Sequence, residues 1–209
     1  MSLSHGAIIL CGGASTRMGC DKALLPFGPN EVLLQRVVRL VREVVPGERI
    51  VCVAAVGQPL PPLPADVQVI RDEHPAWGPL AGLANGIAAV APHAKAVFVC
   101  GCDAPLLVPA FVVRMFELLA EHKIAAPYDG ERFHPLAAVY RTDVLDVARS
   151  LLAVGERSLQ ALLWQCDTCQ VPVDELRDVD PQLASLENCN TDEEYERLSE
   201  RAFPRRVDA

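Results

Sequence analysis

The strongest constraint on the fold is an alternation. Short apolar runs ending in glycine or an acidic residue alternate with longer segments of helical periodicity. Ala7-Ile8-Ile9-Leu10 is apolar on both faces and stops before Gly12-Gly13, as a buried parallel strand does. Ile50-Val51-Cys52-Val53-Ala54, Val67-Gln68-Val69-Ile70 and Ala96-Val97-Phe98-Val99-Cys100 read as further strands. Residues 31–45 predict a helix through Leu33, Leu34, Val37, Val38 and Val41, closed by Pro46-Gly47. A helix rich in small residues is expected over 80–91, and Pro109 opens another that runs to about Glu121. Strands are then expected at 124–126, 136–140, 169–173 and 184–187, with helices near 143–153 and 158–165. The last helix starts at Thr191, which has Glu194 at capping-box spacing. This order predicts the α/β class: a mostly parallel sheet with helices on both faces, three layers in all. No repeat or linker interrupts it, so one domain over 1–209 is expected, strand-richer from about 127 to 190.

Composition narrows the function classes. Apolar residues make up 51% and charged residues 22%, which excludes disorder and a coiled coil. A net charge of −8 argues against a broad nucleic-acid footprint. The N-terminal run has neither the form of a signal peptide nor that of a membrane span, so a cytoplasmic protein with no membrane partner is expected. Eight cysteines then sit in a reducing compartment. Two close pairs, Cys100/Cys102 and Cys166/Cys169, read either as small buried residues or as halves of one zinc site.

In such sheets ligands bind beyond the carboxyl ends of the strands. The loops after Leu10, Ile70 and Cys100 are therefore where chemistry is sought. The run Leu10-Cys11-Gly12-Gly13-Ala14-Ser15-Thr16-Arg17-Met18-Gly19-Cys20-Asp21-Lys22 combines glycines, hydroxyls and two cations. Glycines let backbone N–H groups approach phosphate oxygens, and Arg17 and Lys22 can neutralise them. The dinucleotide fingerprint and the Walker loop both fail here, the latter because Met18 stands where its second glycine would be. Asp103, just past a buried strand, can hold Mg²⁺ or cap the next turn. Asp72 follows the third strand, and Gly78-Pro79-Leu80-Ala81-Gly82 opens a helix whose N-terminus favours an anion. Gly82 and Gly86 serve equally well for close helix–sheet packing. His134, Arg157, Asn188 and Asn190 each have a structural reading beside a ligand-binding one.

These residues resemble a known family. The run from Leu10 to Lys22 is similar to the glycine-rich loop of nucleotidyltransferases. Adding Asp72, Gly78 to Gly82, Gly101-Cys102-Asp103-Ala104-Pro105, His134-Pro135, Gly155 to Arg157 and Asn188 to Thr191, nearly the whole chain resembles the molybdenum cofactor guanylyltransferases. The resemblance implies a Rossmann-like three-layer nucleotidyltransferase fold, with about 1–126 on the nucleotide side and about 127–209 on the pterin side. It implies transfer of GMP from GTP to molybdopterin carrying molybdenum, with release of pyrophosphate. Leu10, Cys11, Gly12, Gly13, Asp72 and Gly78 would meet the nucleotide, and Lys22 and Arg17 its phosphates. Asp103 would hold Mg²⁺. His134, Arg157, Asn188 and Asn190 would lie towards the pterin. Contact with proteins of the same cofactor pathway is expected on the same ground.

Two departures stand out. Cysteine at position 11 replaces the family's usual alanine, and Val53-Ala54-Ala55 stands where many relatives carry an asparagine. The rival readings are a cytidylyltransferase or another nucleotidyltransferase on this fold, a non-catalytic nucleotide- or cofactor-binding partner, and a thiol-dependent metal or redox protein.

Overall fold

The structure is a computed structural model that describes residues 4–12, 21–72, 74 and 77–204. Seven strands form one sheet: β1 (His5–Leu10), β2 (Ile50–Ala55), β3 (Gln68–Asp72), β4 (Ala96–Gly101), β5 (Ile124–Tyr128), β6 (Ala137–Arg141) and β7 (Thr168–Pro172). Their order is β3-β2-β1-β4-β6-β5-β7. All pairings are parallel except the two made by β6, which runs against both β4 and β5. The α/β sheet expected from the alternation is therefore present.

Strand alternation sorts side chains to two faces. Ala7, Ile9, Cys52, Phe98 and Cys100 point to one face and are covered by α1 (Leu33–Arg42) and α3 (Pro109–Leu119). Ile8, Leu10, Val51, Val53, Val97 and Val99 point to the other, under α2 (Pro79–Val90), α4 (Leu145–Ala153) and α5 (Leu159–Gln165). Both faces are apolar because both are covered, which is why these strands read as unbroken hydrophobic runs. A smaller third cluster joins Phe27 and Leu33 to Cys189 and to Leu198 of α6 (Asp192–Ala202). It draws the C-terminal segment back over the start of the chain.

Several expectations need correction. Residues 184–187 are not a strand. The buried Asp180 carboxylate accepts hydrogen bonds from the N–H groups of Ala184 (2.9 Å) and Ser185 (2.8 Å) and winds Ala184–Leu186 into a 3₁₀ turn. The helix expected over 31–45 is shorter, because Gln35 folds back to accept from the Val32 N–H and fixes the start. Asp72 belongs to the third strand rather than to the loop after it, since it pairs in register with Ala55.

Of the α2 glycines, Gly86 takes the packing role, whereas a Cβ on Gly82 would make ordinary contact with Leu10. A Cβ on Gly86 would lie 2.7 Å from Cγ2 of Ile8, a stiff β-branched side chain with no exposure. We expect Gly86→Ala to lower stability by about 1–2 kcal/mol, because overpacking outweighs the gain in helix propensity. A calorimetric melting temperature lower by about 2–6 °C would register it, and a rise would contradict the close approach.

Candidate functional site

The chain leaves β1 on one side to build β2 and β3, then returns on its other side as β4. That reversal opens a crevice beyond the carboxyl ends of β1 and β4, where Leu10 and Gly101 are register partners. Backbone pairing continues one step further: the Cys11 N–H donates to Val53 O (2.8 Å) and the Cys102 N–H to Leu10 O (3.0 Å). Cys11 and Cys102 thus emerge side by side from two adjacent strands, with Asp103 one residue further on.

Lys22 joins them. Asp21 caps the short Lys22–Leu24 turn by accepting from the Ala23 N–H at 3.0 Å. The Lys22 ammonium then donates to Asp103 Oδ2 at 2.9 Å and to Asn190 Oδ1 at 2.8 Å. Lys22 and Asp103 are mostly shielded, with side chains 17% and 18% exposed, so this pair is stronger than an open surface bridge. Asp103 is also held through its backbone, whose carbonyl accepts from the Cys189 N–H at 2.8 Å. Asn190 is fixed by the capping box of α6, as Glu194 accepts from the N–H groups of both Asn190 and Thr191. Asn190 therefore does not cap the helix. Thr191 does, which releases the asparagine amide to face Lys22.

Gly101 makes the Asp103 conformation possible. A Cβ there would sit 2.3 Å from Asp103 Oδ1, so any larger residue would displace the carboxylate. Among the described residues no group of three or more His, Cys, Asp or Glu side chains is arranged to hold a metal. Asp103 is a lone carboxylate beside a lysine. That donor set fits Mg²⁺ shared with substrate phosphates, which needs only one or two protein carboxylates, and does not fit a closed protein cage.

Asn190 also borders a cleft of about 330 Å³, lined by His134, Pro135, Gln160 and Asn188 among others. An adjoining hollow of about 440 Å³ shares Pro135, Leu136 and Gln160 with it and adds Pro79 and Arg157. The structure thus gathers His134, Asn188 and Asn190 in one cleft and puts Arg157 next door. His134 Nε2 lies 3.0 Å from Asp129 Oδ2. The Asp129 carboxyl is held down to about 2 by the backbone N–H groups of Arg132 and Glu131, with His134 adding to them, so it faces the imidazole as an anion at neutral pH. The Arg157 guanidinium lies 4.6 Å over the Trp77 ring, which also stacks on His74 at 4.4 Å.

Asp72 stands apart. It ends β3, two strands from β1, hence about 10 Å away across the sheet. Its buried carboxylate accepts from the His74 N–H and from Asn85 of α2. Gly78 is the N-cap of α2 at φ +77°, a conformation that favours glycine, and it abuts the Arg157 backbone. Gly13, expected at the nucleotide, and Arg17, expected at its phosphates, lie outside the described residues. The Cys11 thiol is buried, and contacts with the Cys102 and Cys52 thiols, then burial, hold its pKa well above the usual range, which favours the neutral thiol. Cys100, Cys102 and Cys169 pack on one face of the sheet and Cys166 on the other, and among the described residues no three of them gather as possible metal ligands, so the two close pairs do not form one site.

Sequence reading missed Gln58, Gln160 and Trp77. Gln58 lies in a proline-rich stretch that carries no periodic signal. Gln160 is a glutamine two residues past a helix cap, and its inward turn shows only in its 2.8 Å bond to Phe133 O. Trp77 gains meaning only from Arg157, which is distant in sequence.

Comparison with known proteins identifies the family. Residues 7–169 match the family model of the MobA-like NTP transferase domain. A probable molybdenum cofactor guanylyltransferase of Mycobacterium avium is 38% identical over 204 residues, covering 95% of this chain and 97% of the relative. A protein of the same description from Mycobacterium tuberculosis H37Rv is 39% identical over 175 residues, 78% of this chain and 81% of that one. Among solved structures, molybdopterin-guanine dinucleotide biosynthesis protein A of Archaeoglobus fulgidus aligns with a TM-score of 0.75 at 22% identity, covering 95% of this chain and 98% of its own. The 2-C-methyl-D-erythritol 4-phosphate cytidylyltransferase of Thermus thermophilus aligns at 0.68 with 16% identity over 94% of this chain and 98% of its own, so the fold is common to enzymes named for different bases. By its matched domain and its near full-length relatives, the chain belongs to the MobA-like NTP transferase family, together with the molybdenum cofactor guanylyltransferases.

Proposed function

We propose that this nucleotidyltransferase moves GMP from GTP to molybdopterin carrying molybdenum and releases pyrophosphate. The observation that carries the reading is the Lys22–Asp103–Asn190 contact at the β1/β4 crevice, opening onto the cleft of His134, Asn188 and Asn190. In this reading residues of about 1–126 hold the nucleotide and those of about 127–209 the pterin. The reaction forms a P–O bond between the terminal phosphate of molybdopterin and the α-phosphorus of GTP, and breaks the α–β bridge. The nucleophile is already an anion, so alignment and charge neutralisation do the work and no strong base is required.

Lys22 supplies a positive charge at the phosphates, and Arg17 is proposed to supply another. Leu10, Cys11, Gly12 and Gly13 present the backbone of the β1 loop to the nucleotide. Asp72 and Gly78 would bound the nucleotide on the β3 side. Asp103 would hold Mg²⁺, which when bound neutralises phosphate oxygens. On the pterin side, Asn188, Asn190 and His134 offer polar contacts. Arg157, steadied by Trp77, offers a cation to the phosphate end of the pterin. We place the reaction in the cytoplasm, in keeping with cysteines unpaired among the described residues. No helix among those residues is long and apolar enough to cross a membrane.

The deciding experiment supplies purified protein with Mg²⁺, molybdenum-loaded molybdopterin and one of GTP, CTP, ATP or UTP, and measures pyrophosphate. Release with GTP alone is expected. Release with CTP alone would replace this reading with a cytidylyltransferase, and binding without release would favour a carrier protein.

Asp103→Ala is expected to lower turnover by about a hundred-fold or more while the melting transition persists. Near wild-type pyrophosphate release would remove Asp103 from the chemistry. Gly101→Ala tests the same carboxylate from beneath. We expect turnover to fall about ten-fold or more at little cost in melting temperature, since the clash is relieved by rotating Asp103 out of place. Lys22→Ala is expected to weaken GTP binding about ten-fold, read by titration calorimetry, and an unchanged affinity would exclude it from the phosphate site.

A further inference from the structure

Gln58 follows β2 in a tight turn, where its N–H donates to Ala55 O at 3.1 Å. Its side-chain amide is fully engaged. Oε1 accepts from the Ala55 N–H at 3.0 Å, and Nε2 donates to Cys11 O and to Asp21 Oδ1, each at 3.0 Å. Both donor hydrogens of the amide are thereby used. The turn is pinned from β3, where the Arg71 guanidinium donates to Ala55 O at 3.1 Å and to Gln58 O at 2.7 Å.

Asp21 Oδ1 receives a second donor, the Ala23 N–H, which sets the turn that carries Lys22. An ionised carboxylate only accepts, so a neutral amide donor suits it and a second carboxylate would repel it. Arg71 therefore holds the backbone of the Ala55–Gln58 turn, the Gln58 side-chain amide links that turn to Asp21, and Asp21 sets the Lys22 turn whose ammonium reaches Asp103. We propose that Gln58 is a positioning residue: it ties the end of β1 to the Lys22 turn and so aims the Lys22 ammonium at the nucleotide phosphates. This rests on the nucleotidyl-transfer reading above.

Gln58→Glu separates this role from mere support of the turn. The variant keeps an oxygen for the Ala55 N–H but turns an acceptor towards Cys11 O and a second negative charge towards Asp21. GTP affinity in the presence of Mg²⁺ is measured by calorimetry without the second substrate, for wild type, Gln58→Glu, Lys22→Ala and the double variant. Hydrogen exchange at the Ala23 amide is followed in the nucleotide-free protein. We expect Gln58→Glu to weaken GTP about ten-fold or more and to speed Ala23 exchange. The double variant should bind no worse than Lys22→Ala alone, because Gln58 acts through Lys22. Affinity within about two-fold of wild type, or losses that simply multiply in the double variant, would overturn the proposal. Should Gln58→Glu not fold, Gln58→Ala removes the same two donor bonds without adding charge, and with them the acceptor of the Ala55 N–H, and it carries the same expectations. A wild-type protein that binds no nucleotide would defeat the functional reading instead. Ala23 exchange would still decide the tie, because an unchanged rate in Gln58→Glu would show that Gln58 does not hold the turn.

Discussion

The site depends on a reversal of strand order. β1 is the first strand laid down and lies inside the sheet, flanked by β2 on one side and β4 on the other. Connections leave its two flanks in opposite directions, and in such sheets that leaves room for a ligand beyond the carboxyl ends of β1 and β4. Parallel strands demand covering helices on both faces, and the helices close that space above and below. What remains is a crevice with backbone groups at its floor. The burial of Ile8, Ile9, Phe98 and Val99, each without exposure, makes the floor rigid. Polar residues just past the strand ends are therefore presented from fixed positions.

Onto this floor the chain brings three segments distant in sequence. Lys22 meets a partner 81 residues away in Asp103 and another 168 residues away in Asn190. The second of these contacts exists only because the Phe27–Leu33–Cys189–Leu198 cluster seats α6 against the early part of the chain. Hydrophobic packing supplies the free energy, and the polar contact supplies the register. Holding a cation and a carboxylate together in a partly shielded place carries a desolvation cost, which good hydrogen-bond geometry offsets. A substrate that brings phosphates and a divalent cation offers each of the two a new partner of opposite sign.

Much of this was legible in the sequence. β1, β2 and β4 announce themselves because burial on both faces removes polar residues from the pattern. Asp103 could be placed because an acidic residue directly after such a run has few other positions to occupy. The direction of β6 was not legible, since the apolar content of Ala137–Arg141 is the same whichever way the strand runs. Residues 184–187 misled for a different reason. Their composition suits a strand, but the Asp180 carboxylate offered the backbone a local alternative, with Leu183 in a left-handed conformation at φ 52° to complete the turn. The tie made by Gln58 was hidden as well. A glutamine in a surface stretch is read as solvated until the atoms at both ends of its amide are known.

The lateness of Asn190 has a consequence for synthesis. A ribosome that has just made the nucleotide side has already delivered Lys22 and Asp103, and the central strands can pair at once. The second acceptor of the ammonium, with the helix whose capping box holds it, is made 168 residues after Lys22. Until then the cleft lacks one wall and Lys22 lacks one of its two acceptors. A nascent chain can therefore mature its core early yet assemble the complete site only when α6 folds back onto Phe27. The contact that completes the site is thus made by a segment synthesised well after the strands that form its floor.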